Sequence, residues 1–227
     1  MLQTIGPVGF GVNGLSYDTA TGRLFATTTG AGGFNGLIEI DMTTGAGTPI
    51  GDPFANPNVT LASNAGGQLF AWSGLFDHTL VSIDPSTGAF ALTGPSGITA
   101  NGHGMAFDNN GTLFLHNGND TSVYTLDTTT GAATLVGGPT GVVAHHGDFH
   151  PETNVYYGID VFGFSGARNL FLLDLNSGGT VLGSLPTVDD LHTLTFVTVA
   201  PVPEPSTLGL LGPGLIGAAI RRRRARA

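Results

Sequence analysis

An all-β, propeller-like fold is what this sequence predicts, and three observations predict it. An Asp-x-x-Thr-Gly turn recurs as Asp41 to Gly45, Asp84 to Gly88 and Asp127 to Gly131, with a degenerate copy at Asp174 to Gly178; the starts lie 43, 43 and 47 residues apart. A short apolar pair precedes each turn, at Leu24-Phe25, Leu69-Phe70, Leu113-Phe114 and Val155-Tyr156, with intervals of 45, 44 and 42 residues. No part of the first 200 residues keeps a 3.6-residue apolar period, so no helix is required there. A repeat of ~40 to 45 residues holding four short strands has the length of a propeller blade. A β-sandwich rarely repeats one turn at constant spacing, and β-helix repeats are much shorter.

Taken in order, Met1 to Pro7 superimposes on Ala132 to Gly138, the segment after a repeated turn, so the chain opens on a fourth strand. Four full units follow. In the third, strands are expected at Met105 to Asp108, Thr112 to His116, Ser122 to Asp127 and Ala133 to Gly137. Asn109-Asn110-Gly111 forms the first turn of that unit, because Asn and Gly accept positive φ. Leu191 to Val199 reads as a trailing first strand, with Phe196 matching Phe107 and Phe149. The two end pieces either pair as an incomplete fifth blade, or Met1 is an internal methionine and the missing strands and an export signal lie upstream. The second explanation is preferred, since no basic, apolar and small-residue leader opens the chain. Residues 1–199 are thus expected to form the repeat domain and residues 200–227 a separate tail.

Charge is distributed unevenly. All seven basic residues are Arg, five of them in the last seven positions, while the first 200 residues hold 15 carboxylates against Arg23 and Arg168. A body this acidic repels phosphate backbones, which excludes nucleic acid as a partner. The lack of Cys removes disulfides, thiolate zinc sites and thiol catalysis together.

From Ala200 the composition shifts. A Pro-punctuated linker (Pro201 to Thr207) leads into an apolar, Gly-rich stretch from Leu208 to Ile220, and then into Arg221, Arg222, Arg223 and Arg224. Ser206 to Ile220 is 15 residues, short of the ~20 that span a bilayer, but Arg side chains at its end snorkel and hold to the cytoplasmic side. A C-terminal hydrophobic helix is expected here. This order of parts, with Val202-Pro203-Glu204-Pro205-Ser206-Thr207 at its head, resembles the PEP-CTERM sorting signal of exported bacterial proteins; Pro213 inside the apolar segment departs from the pattern. The resemblance implies export, transient retention in the inner membrane, and recognition of Pro203, Glu204 and Pro205 by an exosortase, with Arg221 to Arg224 as the membrane stop. It further implies delivery of the body to the cell surface or to an extracellular polysaccharide matrix, as in a biofilm.

Within the body, a His lies four residues before each of three first-strand Phe residues: His103 before Phe107, His145 before Phe149 and His192 before Phe196. Asn13 and Val59 hold the corresponding places in the first two units. One register repeated around a propeller axis brings three imidazoles to one mouth, enough for a divalent metal with an open position. The plainer reading makes them loop residues between blades. His146, Asp148 and His150 share one strand face and are a rival ligand set. Trp72 either stacks on a sugar ring or belongs to the core. No nucleophile elbow, P-loop or dinucleotide fingerprint is present. The sequence therefore supports a non-enzymatic binding or structural module with no cofactor. The alternative is a metal-dependent hydrolase or lyase at the channel mouth.

Overall fold

A computed structural model describes residues 4–55, 60–73, 78–101, 104–160, 169–186 and 191–198. The chain divides into two units, Met1–Val197 and Thr198–Ala227. The expected C-terminal helix lies outside the described residues, among which there is no helix.

Among the described residues, sixteen strands form four separate antiparallel sheets, each in simple chain order. Blade one is β1 (Val12–Asp18), β2 (Arg23–Thr28), β3 (Leu37–Ile40) and β4 (Gly47–Ile50). Blade two is β5 (Thr60–Ser63), β6 (Leu69–Ser73), β7 (Thr79–Ile83) and β8 (Phe90–Pro95). Blade three is β9 (Gly104–Phe107), β10 (Leu113–His116), β11 (Val123–Leu126) and β12 (Ala133–Gly137), within a residue of the expected bounds. Blade four is β13 (His146–Phe149), β14 (Tyr156–Ile159), β15 (Asn169–Asp174) and β16 (Thr180–Pro186). The first strands β1, β5, β9 and β13 lie beside one another in sequence, which is the arrangement of a propeller.

The repeated turn forms for a local reason. Asp41 accepts hydrogen bonds from the N–H groups of Thr43 and Thr44 at 2.7 and 3.0 Å, and Gly45, at φ 81°, returns its N–H to the Asp41 carbonyl at 2.7 Å. Asp84 and Asp127 repeat this arrangement. In blade four the turn is one residue longer than expected: Gly179, not Gly178, donates to the Asp174 carbonyl at 2.9 Å. The apolar pair also slips by one there. Tyr156 lies opposite Phe149 and Leu173, in the register of Leu24, Leu69 and Leu113, and Tyr157 takes the place of Phe25, Phe70 and Phe114.

The core sits between blades, because alternation gives each strand one face toward either neighbour. Phe25 and Leu37 meet Leu61, Leu69, Val81 and Ile83 between blades one and two. Phe70, Trp72 and Leu80 meet Met105, Leu113 and Leu126 between two and three. Phe114 and Val123 meet Phe149, Tyr156, Phe171 and Leu173 between three and four. Each such fully buried side chain contributes about 2 kcal/mol. Trp72 is wholly enclosed, its indole N–H 3.3 Å from the Ala100 carbonyl, which removes the sugar-stacking role.

Among the described residues of the two ends, 4–11 and 191–198, no regular strand forms, so the expected fifth repeat is not built as a sheet there. Thr195 nonetheless bridges the last blade and the first: its hydroxyl donates to Asp148 at 2.7 Å and accepts from the Tyr17 N–H at 3.2 Å.

Along the outer edges, a glycine from each of blades one to three meets a turn of the next blade, and Gly6, ahead of blade one, meets the turn of blade one. A Cβ on Gly6, Gly51 or Gly94 would land on the carbonyl of Thr44, Thr87 or Thr130, and one on Gly137 would lie 2.5 Å from the Gly178 Cα. Gly183 in β16 has no described atom within 4 Å of that position. Gly137→Ala should therefore force blades three and four apart and cost about 2 kcal/mol. Gly183→Ala should be neutral or stabilising by about 0.5 kcal/mol through the unfolded state. Urea midpoints of the two variants measure the difference; equal effects would show that the blade contact does not set the spacing.

Candidate functional site

Strand direction separates the polar groups of the body into two ends. The Asp-x-x-Thr-Gly turns, Asp18 and Asp108 lie at the end where first strands finish. There, Asp18 accepts from the Ala20 N–H at 2.9 Å and from the Thr21 hydroxyl. Asp108 accepts from the N–H groups of Asn110 and Thr112 at 3.0 and 2.7 Å. Hydrogen bonds from turn N–H groups hold Asp41 and Asp127 below the usual carboxylate range; for Asp84 the Ser86 hydroxyl leads the same effect. Carboxylates committed to backbone in this way are turn residues, not a cation site.

Apart from His150, which follows β13 at the first end, the described histidines lie at the opposite end. His116 closes β10, His145 immediately precedes β13, Asp160 follows β14, and His192 opens the segment 191–198. His116 is fully buried, its Nε2 3.0 Å from the Thr140 hydroxyl. His145 and Asp160 are buried together, with Nδ1 and Oδ1 3.6 Å apart. The ring of His146 lies 5.5 Å from that of His192. Burial pulls His145 below the ordinary histidine range, opposed by the Asp160 carboxylate and reinforced by His192.

Of the expected triad, then, His145 and His192 come into electrostatic reach of each other, and His103 lies outside the described residues. Among the described residues no group of three or more His, Asp or Glu side chains is placed to hold a metal ion. The rival set separates. His146 faces His192, and Asp148 accepts from Thr195, the Phe196 N–H and the Phe149 N–H at 2.7, 2.9 and 2.8 Å. His150 accepts from the N–H groups of Glu152 and Thr153 in its own turn. Burial pushes Asp148 above the usual carboxylate range despite its three donors.

Asp160 escapes a reading of the sequence, although a signal for it exists. In register it follows Tyr156 as Thr28, Ser73 and Asn117 follow Leu24, Leu69 and Leu113, and all four are buried polar residues. Thr28 donates to the Phe34 carbonyl at 2.7 Å and Asn117 to the Thr99 carbonyl at 3.1 Å. The position ties down the loops at this end, and in blade four it does so as a His–Asp pair. An enclosed imidazole beside an enclosed carboxylate can orient a loop and hold a proton. It offers no open face to a substrate.

Residues 201–224 match the family described as the PEP-CTERM protein-sorting motif, which takes in Pro203, Glu204, Pro205 and Arg221 to Arg224; these lie outside the described residues. The motif implies an exported protein processed by an exosortase and held transiently in a membrane during sorting. No curated protein matches the sequence. Among solved structures, the body is similar to an auxiliary nutrient binding protein from Bacteroides thetaiotaomicron, at 16% identity and a TM-score of 0.56 over 79% of this chain and 43% of that one. It is similar to TolB from Acinetobacter baumannii at 11% identity and a TM-score of 0.54, over 76% and 43%. It is also similar to a catalytically inactive virginiamycin B lyase from Staphylococcus aureus, solved with quinupristin, at 14% identity and a TM-score of 0.51 over 75% and 54%. The chain spans about half the length of these three proteins, and identities this low show the fold alone.

Burial brings His116 from the ordinary histidine range down to about 4, with His145 adding to the effect. A histidine depressed in the folded state binds its proton more readily when unfolded, so its stabilising contribution is present above pH 6.5 and is lost as pH falls toward 4. About 3 kcal/mol should leave through this ring across that window, with His145 acting in the same direction and Asp148 in the opposite one. Urea unfolding of the wild type and His116→Gln from pH 7 to 4.5 tests it. The variant should show a clearly shallower decline, and parallel curves would refute the assignment.

Proposed function

We propose that this chain is an exosortase-sorted protein of the cell surface or extracellular matrix, and that its propeller body serves as a binding or structural module. The observation that carries this reading is the three-part tail at residues 201–224. Read physically, the apolar stretch Leu208 to Ile220 and the Arg221 to Arg224 stop retain the chain in the membrane until cleavage near Pro203 to Ser206 frees the body. The chemistry of the body favours binding over catalysis. Its turn carboxylates are spent on backbone N–H groups, and its best-placed imidazole and carboxylate, His145 and Asp160, are enclosed. The ligand this reading favours is a surface polysaccharide or a second surface protein; the acidic body disfavours nucleic acid.

A second reading, a metal-dependent hydrolase or lyase, draws on one observation: His145 and His192 fall within reach of each other, in the register that also contains His103. A stoichiometric transition metal in purified protein, lost on replacing His103, His145 and His192, would favour it over the first.

The sorting reading is tested by the mass of the protein recovered from the cell envelope and from the medium of the native host. The released form should end between Pro203 and Ser206. Replacing Pro203, Glu204 and Pro205 together by Ala should leave a membrane-bound form with its Arg cluster intact. A released protein that still carries Arg221 to Arg226 would refute it.

A further inference from the structure

The last described segment of the body fixes where the chain leaves it. Residues 191–198 run beside β13 in the same direction, with the His192 ring 5.5 Å from His146 and the Phe196 ring 4.9 Å from His150. The Thr195 hydroxyl and the Phe196 N–H donate to Asp148, and the Tyr17 N–H donates to Thr195. Phe196 also stands edge-on to Tyr157, with ring centroids 5.3 Å apart. The segment therefore emerges at the end of the strands that carries the recurrent turns, between Tyr17 of blade one and His150 of blade four.

Two short turns flank this exit. The turn after β1 is closed by the Gly22 N–H on the Asp18 carbonyl at 2.8 Å, and the turn after β13 by the Asn154 N–H on the His150 carbonyl at 3.0 Å. Thr19, Ala20, Pro151, Glu152 and Thr153 are exposed on them.

Chain length limits how far an enzyme acting on the sorting motif can stand from these turns. Pro203 is the sixth residue after Val197. Six residues reach about 22 Å when fully extended. An enzyme holds its substrate in a concave site, so its walls reach beyond the bound motif and into that short span.

We infer that the exposed rim made by residues 19–22 and 151–154 is a contact surface for the exosortase while it engages Pro203, Glu204 and Pro205. Glu152 stands beside the exit, and Asp41, Asp84 and Asp127 lie at the same end. Arg23, which follows the first of the two turns, is paired with Glu39 at 2.6 Å. The enzyme face that fits this rim is neutral or basic. The inference rests on the sorting reading and adds to it a recognition element on the folded body.

Release of the body into the medium is followed by pulse-chase in the native host for the wild type and for a variant carrying Thr19→Arg and Glu152→Arg. Both chains are also made with a flexible Gly/Ser insert of about 20 residues between Ala200 and Pro201, which adds roughly 25 Å of reach. With the native spacing, the rim variant should be released about threefold more slowly or worse, as expected when rim charge is reversed at an interface. With the insert, the two chains should be released at the same rate. The purified rim variant should melt within about 2 °C of wild type, as at exposed sites. The inference is overturned if the rim variant is released at the wild-type rate with the native spacing. It is equally overturned if the slowing persists with the insert, since the change would then act on folding or export and not on contact. Replacing Pro203, Glu204 and Pro205 together by Ala distinguishes failure of the underlying reading: undiminished release of that variant overturns the sorting itself.

Discussion

Close approach of backbone to backbone between neighbouring blades is the constraint on which the rest of this structure depends. A four-stranded sheet widens toward its outer edge, and adjoining blades are held at a fixed splay only if something sets their separation there. Here it is a glycine from a fourth strand or its end, at Gly51, Gly94 and Gly137, and Gly6 ahead of blade one, each seated on the turn of the blade that follows. Any side chain at these places would occupy the position of a backbone atom. Once the outer spacing is set, the apolar faces meet at van der Waals distance, which is why Phe25, Phe70 and Phe114 are buried to the same degree. Much of the high glycine content thus follows from packing geometry, while turn residues such as Gly45 and Gly131 need a left-handed backbone.

The same repeat sorts charge. The turn aspartates lie at one end of the strands; turn N–H groups hold Asp41 and Asp127 below the usual carboxylate range, and the Ser86 hydroxyl leads the same effect at Asp84. At the other end burial pulls His116 and His145 below the ordinary histidine range, while Asp52, Asp120 and His192 stay exposed.

The period, the four-strand unit and the turn chemistry were legible in the sequence because each depends on residues close together in the chain. Asp41, Thr44 and Gly45 contain their own explanation. Blade four was misread by one residue at two places because its turn is one residue longer and its Tyr156 occupies a slot that Leu fills elsewhere. That slip hid Asp160, whose partner His145 comes from a different strand and whose burial depends on how loops pack. The imidazole register before each first strand was visible, but its chemistry was not. Whether a His faces a channel or a carboxylate is decided by neighbours distant in sequence.

Tyr156 shows what a repeat protein gains from such irregularity. Its ring and hydroxyl fill the space where a Cβ would stand on Gly104, Gly147 and Gly158, so three glycines from β9, β13 and β14 make one socket for one side chain. The hydroxyl finds no hydrogen-bond partner among the described residues, a cost of about 1–3 kcal/mol. A leucine would fit the register without that cost. The socket, however, is complementary to blade four alone. Trp72 distinguishes the second interface, and in the first Phe25 of blade one lies under its own sheet's Arg23, which pairs with Glu39 at 2.6 Å. Near-identical blades can pair out of order while folding, and each mispairing would bury almost the same apolar area as the correct one. A distinct shape at each interface removes that degeneracy, so stability given up at Tyr156 is recovered as a single order of blades around the ring.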